Sequence, residues 1–436
     1  MTRFTAGDAP AAIRRWYDSA INAVDPVHAV AASLRRSGNT VFIADQQVNV
    51  AGRLFVVAIG KAGATMAAGA QIALDDLISG GVIITKDGHI GSAELPTFEI
   101  FEASHPIPDE RGRAATEYLL DRLENLGPDD VVMVLLSGGG SALLEAPVDG
   151  VPMADMATTT GLLLRAGAPI QHLNAVRVPL SKVKGGGLRR AAYDSRFITL
   201  VLSDVLGNDT RVIASGPTVT TDFTGEGALE LLTHYGVLDS TPVSVREALS
   251  QSANTQSAAV FENDIVQFVG DNAIAVNAFA SAARHDEVRM EVLFENAEGE
   301  ASELAVEWVT SIVAADPAVD LFLGGGEATV KVRGNGTGGR NTEFVLAAAL
   351  ELERIGRIDW MIASLATDGQ DALTGVAGAI ATVETLNTAR RAGVDPVAAL
   401  EQNDSLAVFR AANACVEPGP TGTNVNDIYV ALRLAT

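Results

Sequence analysis

The stretch LFVVAIGKAG (54–63) sets an unbroken apolar run directly before a glycine and a lysine, and ATMAAGAQIALDDLI (64–78) then reads as a helix. A continuous, β-branched run of this length fits a strand buried on both faces. The same texture returns in GVIITK (81–86), FEIFEAS (98–104), VVMVLLS (131–137) and FITLVLSD (197–204), and RGRAATEYLLDRLENL (111–126) repeats the helical pattern. Strands alternating with helices imply an α/β fold whose parallel sheet is covered on both faces. Ligands of such sheets bind beyond the carboxyl ends of the strands, where this chain gathers its glycines and polar residues.

The whole chain narrows the function classes. Its 436 residues carry 54 acidic against 31 basic side chains, a formal net charge of −23. That balance argues against a nucleic-acid surface, which needs a basic stripe. It also means that any anion site must be locally positive against an unfavourable overall field. Lysine occurs only at 61, 86, 182, 184 and 331, and three of the five lie in or beside glycine-rich stretches. One cysteine, Cys415, excludes an intramolecular disulfide, and no run is apolar enough for a membrane span or a signal-peptide core. The expectation is a cytoplasmic protein with no membrane partner. The six histidines show no metal-ligand spacing; His105, in SHPIPD, is the one placed at an apparent strand exit. Ser141 fails the nucleophile-elbow pattern at Leu143.

From 217 to 263 the sequence turns polar and poorly periodic, which places a boundary or hinge near 240. Beyond it IVQFVG (265–270), LFLGGGEATVKVR (321–333), WMIASLATDG (360–369) and NDIYVALRL (426–434) suggest a second core. A possible bend within 321–333 points to a mixed sheet there. The expected domains are 1–240 and 241–436, with the final strand free to pack back on the first.

Five stretches share one grammar: an apolar strand, then glycine with a polar or charged residue, then a helix. They are AIGKAG (58–63), LLSGGGSA (135–142), LSKVKGGGL (180–188), LFLGGGEA (321–328) and RGNGTGGRN (333–341). Such a loop exposes backbone N–H groups at a helix N-terminus, where the dipole favours an anion. One alone is more often a tight turn, but five, three of them with an adjoining lysine or arginine, point to phosphate. Ser137, Gly138, Gly139, Gly140, Ser141, Lys184, Gly185, Gly324, Gly325, Glu327, Gly338 and Asn341, together with Asn208, are the expected nucleotide or substrate contacts. The literal G-x-G-x-x-G at 334, 336 and 339 is discounted as a dinucleotide fingerprint, because its strand alternates charge and no acid closes a second strand downstream. Asp204, Asn208 and Asp209 in LSDVLGNDT, with Asp368 and Asp371 in ATDGQD, crowd further strand ends. Carboxylates there suit Mg²⁺, and Asx-turn chemistry is the bland alternative.

Read together, IGKAG, SHPIPDERG, LLSGGGSALL, LSKVKGGGL, SDVLGNDTRVIASGPT, GGGEATVKVRGNGTGGRNTEF and GPTGTNVNDI resemble the signature stretches of the glycerate 2-kinases, the MOFRL family. The resemblance runs from about residue 10 to the C-terminus. It departs from the family pattern at Leu206, Asn208, Ala366 and Ala372. It implies a Rossmann-like N-terminal domain, a smaller C-terminal α/β domain and an active site in the interdomain cleft. The substrates it implies are ATP and D-glycerate, phosphorylated at the C2 hydroxyl, with a divalent cation, Mg²⁺. By the same resemblance Lys61 and Arg340 fall on the catalytic lysine and arginine. Asp204 is the expected catalytic carboxylate, and Asp204, Asp209 and Asp368 are the expected metal ligands. The alternatives are an NAD(P)-dependent hydroxypyruvate reductase, a kinase for a related sugar acid, or a non-catalytic metabolite-binding protein. A homodimer is compatible with all of them.

Overall fold

The structure is a computed structural model that describes residues 4–252, 261–372 and 374–435. Contacts divide the chain into two compact units, one made of 26–269 and the other of 1–25 with 270–436. This division falls about thirty residues past the boundary expected near 240, and it assigns the N-terminal helix to the C-terminal part.

Within 26–269, a three-stranded antiparallel meander of β1 (Leu34–Ser37), β2 (Thr40–Ile43) and β3 (Gln46–Asn49) stands apart from the main sheet. The main sheet contains β4 (Leu54–Ile59), β5 (Ile78–Lys86), β6 (Phe98–Ala103), β7 (Val131–Leu136), β8 (Arg196–Leu202) and β9 (Ile265–Gly270). Its order is β6-β5-β4-β7-β8-β9, and β4 through β8 pair in parallel. This is the doubly wound Rossmann order, and it reverses between β4 and β7. The two strands run in register from Leu54↔Val131 to Ile59↔Leu136, so the sequences that follow them emerge side by side. Val57, Ile59, Val82, Val134, Leu119 and Leu123 belong to the core on one face.

The stretch 265–270, expected in the second core, forms the edge of this sheet instead. Asp264 fixes it there, accepting from Phe197 N at 3.0 Å and pairing with Arg189 at 2.5 Å. The polar stretch 217–263 proves partly helical: Gly225–His234 and Val243–Gln251 bury Leu232, Val245 and Leu249 against Met156, Leu163 and Leu173. Residues 253–260 of that stretch lie outside the described residues.

The second unit is built on β10 (Met290–Glu300), β11 (Leu321–Thr329), β12 (Trp360–Ala366), β13 (Gly378–Ala381), β14 (Cys415–Val416) and β15 (Asp427–Arg433). Their order is β10-β11-β15-β12-β13-β14; β10 and β11 are parallel and the other pairs antiparallel, so the sheet is mixed as expected. The final strand lies in the middle of this sheet rather than on the first unit. The first residues join it through Trp16 Nε1 to Asp286 (2.9 Å), Tyr17 Oη to Ala366 O (2.7 Å) and Thr423 Oγ1 to Val24 O (2.7 Å). Among the described residues no helix is long and apolar enough to cross a membrane.

Candidate active site

The crossover between β4 and β7 assembles the first cluster. Gly60 adopts φ +114°, and a Cβ there would overlap Ser137, so only glycine lets the two strand ends touch. The turn is tied across the gap by Lys61 N to Gly138 O (2.9 Å) and Ala62 N to Ser137 Oγ (3.0 Å). Lys61 therefore leaves the carboxyl edge of the sheet in a fixed position, with the helix Gly63–Leu74 behind it.

The loop Gly138–Gly140 is hemmed in by functional groups. A Cβ on Gly138 would overlap the Asp204 carboxylate, and one on Gly139 (φ +87°) would come within 3.1 Å of His105 Cδ2 and 3.3 Å of Lys61 Cγ. Lys61, His105 and Asp204 thus surround a loop that tolerates no side chain. Among the described residues the amides of Gly138 and Gly139 donate to no protein acceptor. Two unsatisfied N–H groups beside an ammonium make a site for an anionic oxygen.

Electrostatics sharpen the roles. Burial raises the Asp204 carboxyl above the usual carboxylate range, although Lys61 pulls it the other way. Asp204 forms no ion pair with a described cation, in contrast to Asp209, whose carboxylate is gripped by Arg211 at 2.8–2.9 Å and lowered by that bond. Burial, then Lys61, keep His105 below the usual imidazole value and so favour its neutral form.

Several of the expected contacts are held by other groups of the protein. Lys184 is 1% exposed, and its Nζ donates to Ser141 O at 2.8 Å and lies 3.1 Å from Glu145, so it props the loop from beneath. Burial pushes its ammonium down to about 8 against the pull of Glu145. Gly185 N donates to Ser215 O, and Ser141 Oγ meets Ser215 Oγ at 2.7 Å. LSKVKGGGL follows a 3₁₀ turn, Val178–Leu180, rather than a strand. Asn208 sits at φ +54° in a tight turn, where its N–H donates to Val205 O at 3.1 Å.

The second unit holds its own cluster at the start of the helix Arg340–Arg354. Arg340 forks onto Asp427, Nε to Oδ2 at 2.5 Å and Nη2 to Oδ1 at 3.0 Å, and reaches Glu327 at 3.2 Å. Burial alone would lower its pKa, but the Asp427 carboxylate outweighs it and holds the guanidinium above the usual arginine range. Asn341 Nδ2 also donates to Asp427 at 3.1 Å. Asp371, fully buried, accepts from Asn341 N (2.9 Å), Thr342 N (2.8 Å) and Thr342 Oγ1 (2.7 Å). The helix N-terminus expected to hold phosphate is therefore already capped by a protein carboxylate.

The glycines of RGNGTGGRN have an equally internal reason. Side chains at Gly334, Gly336 and Gly338 would strike Gln402, Asp404 and Ser405, and one at Gly339 would strike Asp371. Nor is LFLGGGEA a loop: Gly324 and Gly325 lie inside β11, where Trp308 and Asn272 fill the space a Cβ would need. Asp368, just past β12, accepts from Gln370 N at 2.8 Å. No group of three or more His, Cys, Asp or Glu suited to a metal occurs among the described residues. Asp427, which the sequence reading passed over, is a lone acid opening the apolar run IYVAL, and that placement is the signal that marks it.

Two family models match the chain. A domain of unknown function, DUF4147, covers residues 12–250, and the MOFRL family covers 320–427. The D-glycerate 2-kinase of Thermotoga maritima is 38% identical over 87% of this chain and 90% of its own length. The glycerate 2-kinase of Pyrococcus horikoshii is 34% identical over 96% of each. A relative in Agrobacterium vitis, 38% identical over 96% of this chain and 93% of its own, carries a provisional hydroxypyruvate reductase name. The crystal structure of the Thermotoga maritima glycerate kinase superposes with a TM-score of 0.87 at 34% identity, covering 96% of this chain and 98% of that one.

Proposed function

The chain belongs to the glycerate 2-kinase family, and from that premise we propose that it transfers the γ-phosphoryl group of ATP to the C2 hydroxyl of D-glycerate. The observation that carries this reading is the β4–β7 crossover, where Lys61 stands beside the two undonated amides of Gly138 and Gly139. Phosphoryl transfer needs positioning and charge neutralisation far more than covalent help, and these groups supply both. Lys61 is assigned to the charge on the transferring group, and Arg340 keeps the role of catalytic arginine that the family resemblance gives it. Asp204 takes one of two parts, ligand to a cation or acceptor of the hydroxyl proton, and both need its carboxylate ionised.

The residues present fit Mg²⁺ only in a limited way. With Asp209 tied to Arg211 and no three-acid cluster among the described residues, the donor set suits an ion carried on ATP phosphates with Asp204 as a single protein carboxylate. Such an ion neutralises phosphate charge when bound. Against the reductase reading, the glycine run that mimics a dinucleotide fingerprint is packed on residues 402–405 and its helix is capped by Asp371.

The deciding assay incubates the purified protein with D-glycerate, ATP and Mg²⁺ and follows ADP, with NADH oxidation by hydroxypyruvate as the control. ADP release with 2-phosphoglycerate as product is the expected result. NADH oxidation without ADP release, or 3-phosphoglycerate as product, overturns it.

A further inference from the structure

A cavity of about 390 Å³ lies behind the phosphate loop within 26–269, lined by Ile107, Met153, Met156, Ala157, Leu164 and, at its polar end, Glu145 with Arg177. Ile107 and Leu164 are 68% and 57% exposed, large apolar side chains left in water at its edge. Its volume falls in the range of about 300–1,000 Å³ typical of small-molecule sites, which are mostly apolar with a few placed polar groups. None of the assigned catalytic residues lines it.

We propose that this cavity receives the purine nucleoside of ATP. The inference rests on the kinase reading, which supplies two substrates of opposite character. D-glycerate is a three-carbon hydroxy acid with no apolar face, so it has no use for a methionine-lined pocket. The nucleoside carries a broad apolar ring with polar edges. Continuity with the phosphate loop supports the match. Pro106, which also lines the cavity, follows His105, whose ring borders Gly139, and Arg177 donates to Ser141 O at 3.2 Å. A nucleoside seated here has its phosphates directed along that same loop toward Lys61.

Glu145 supplies the polar recognition. It is 1% exposed, lines the cavity, and its Oε1 accepts from Ser181 Oγ at 2.7 Å. Oε2 pairs with Lys184 Nζ at 3.1 Å and Arg177 at 3.5 Å, so its charge is compensated within the protein while the oxygen keeps acceptor capacity for one more donor. An exocyclic amine of the base is the donor that this remaining acceptor capacity suits.

Ala157 is exposed on the helix Met153–Arg165, so Ala157→Trp fills the cavity without touching the core. The expected result is a rise of at least tenfold in KM for ATP, while KM for D-glycerate at saturating ATP moves less than twofold. Leu164→Asp, at the rim, is the second variant and should shift KM for ATP in the same direction. Adenosine should inhibit the wild type competitively against ATP and lose that effect in Ala157→Trp. Purine riboside triphosphate, which lacks the 6-amino group, should show a KM at least tenfold above that of ATP. An unchanged KM for ATP in both folded variants overturns the proposal and leaves the kinase reading standing. A change of oligomeric mass in the variants with KM for ATP unchanged assigns the apolar rim to a second copy of the chain and likewise overturns it. If the wild type fails to turn over ATP with D-glycerate, the kinase reading falls. Calorimetry with adenosine then decides the cavity alone: binding lost in Ala157→Trp supports it, and no binding to the wild type overturns it.

Discussion

Asp427→Asn keeps the shape beneath Arg340 and removes the charge. Asp427 is fully buried and takes both arms of the guanidinium fork, while the Arg340 side chain is 24% exposed. Removing one partner of a buried pair costs about 3–5 kcal/mol, because the other charge is left uncompensated. Arg340 keeps about a quarter of its surface in water and a second acid, Glu327, at 3.2 Å, so the lower end, about 3 kcal/mol, applies. At about 2–4 °C per kcal/mol for a unit of this size, calorimetry should show a transition lowered by about 6–12 °C. The kinetic effect is separate. In the catalytic role proposed for Arg340, a guanidinium displaced by an ångström costs about 10²-fold in rate, felt in kcat more than in KM. Combining Asp427→Asn with Arg340→Lys should then cost little beyond the worse single variant, since both act on one group. A melting transition within about 2 °C of wild type, with kcat within threefold, would refute the claim that Asp427 holds Arg340.

Lys61→Ala should lower kcat by about 10³-fold with little change in KM, and steady-state kinetics that put the loss mainly in KM would reassign it to ground-state binding. Gly138→Ala drives a methyl into the Asp204 carboxylate; its kcat should fall at least tenfold while the far-UV spectrum stays native. Burial holds the Asp204 pKa above the usual carboxylate value of about 4, so activity that needs its charged form is lost as pH falls through that raised value. A pH profile of kcat/KM should accordingly show an acid limb above about 4, and a profile flat down to that pH would remove Asp204 from the mechanism. Excess chelator should abolish turnover and added Mg²⁺ restore it; full activity in chelator would end the cation assignment.

The sheet of the first unit was legible because strands buried on both faces leave a plain signature, and LFVVAIG, VVMVLLS and FITLVLSD carry it. Lys61 and the 137–141 loop follow from that directly, since strand ends at a crossover are where such sheets expose backbone. The edges were harder. Whether 265–270 joins one sheet or the other depends on Asp264 meeting Arg189 and Phe197, partners about 70 residues away, and periodicity carries no trace of that. The position of β15 is hidden for the same reason: a central strand and an edge strand read alike when both are apolar.

The glycine stretches show why composition could not settle the site. LLSGGGSA and RGNGTGGRN look equivalent, yet in the first the amides of Gly138 and Gly139 have no protein acceptor among the described residues. In the second a buried acid 30 residues on, Asp371, fills the helix start, and the glycines admit the 402–405 backbone. Glycine reports only that something comes close. In one unit that neighbour is the protein itself, and in the other the structure leaves the place open beside a lysine, in a chain with five lysines and 54 acids. Against a net charge of −23, an anionic substrate is best held where an N–H and a cation stand together. Arg340 is bound by two carboxylates that differ in their access to water. Glu327, 43% exposed against 0% for Asp427, is the one that water can replace, so Asp427 stays as the anchor and the Nη1 arm is the part of the guanidinium left able to turn.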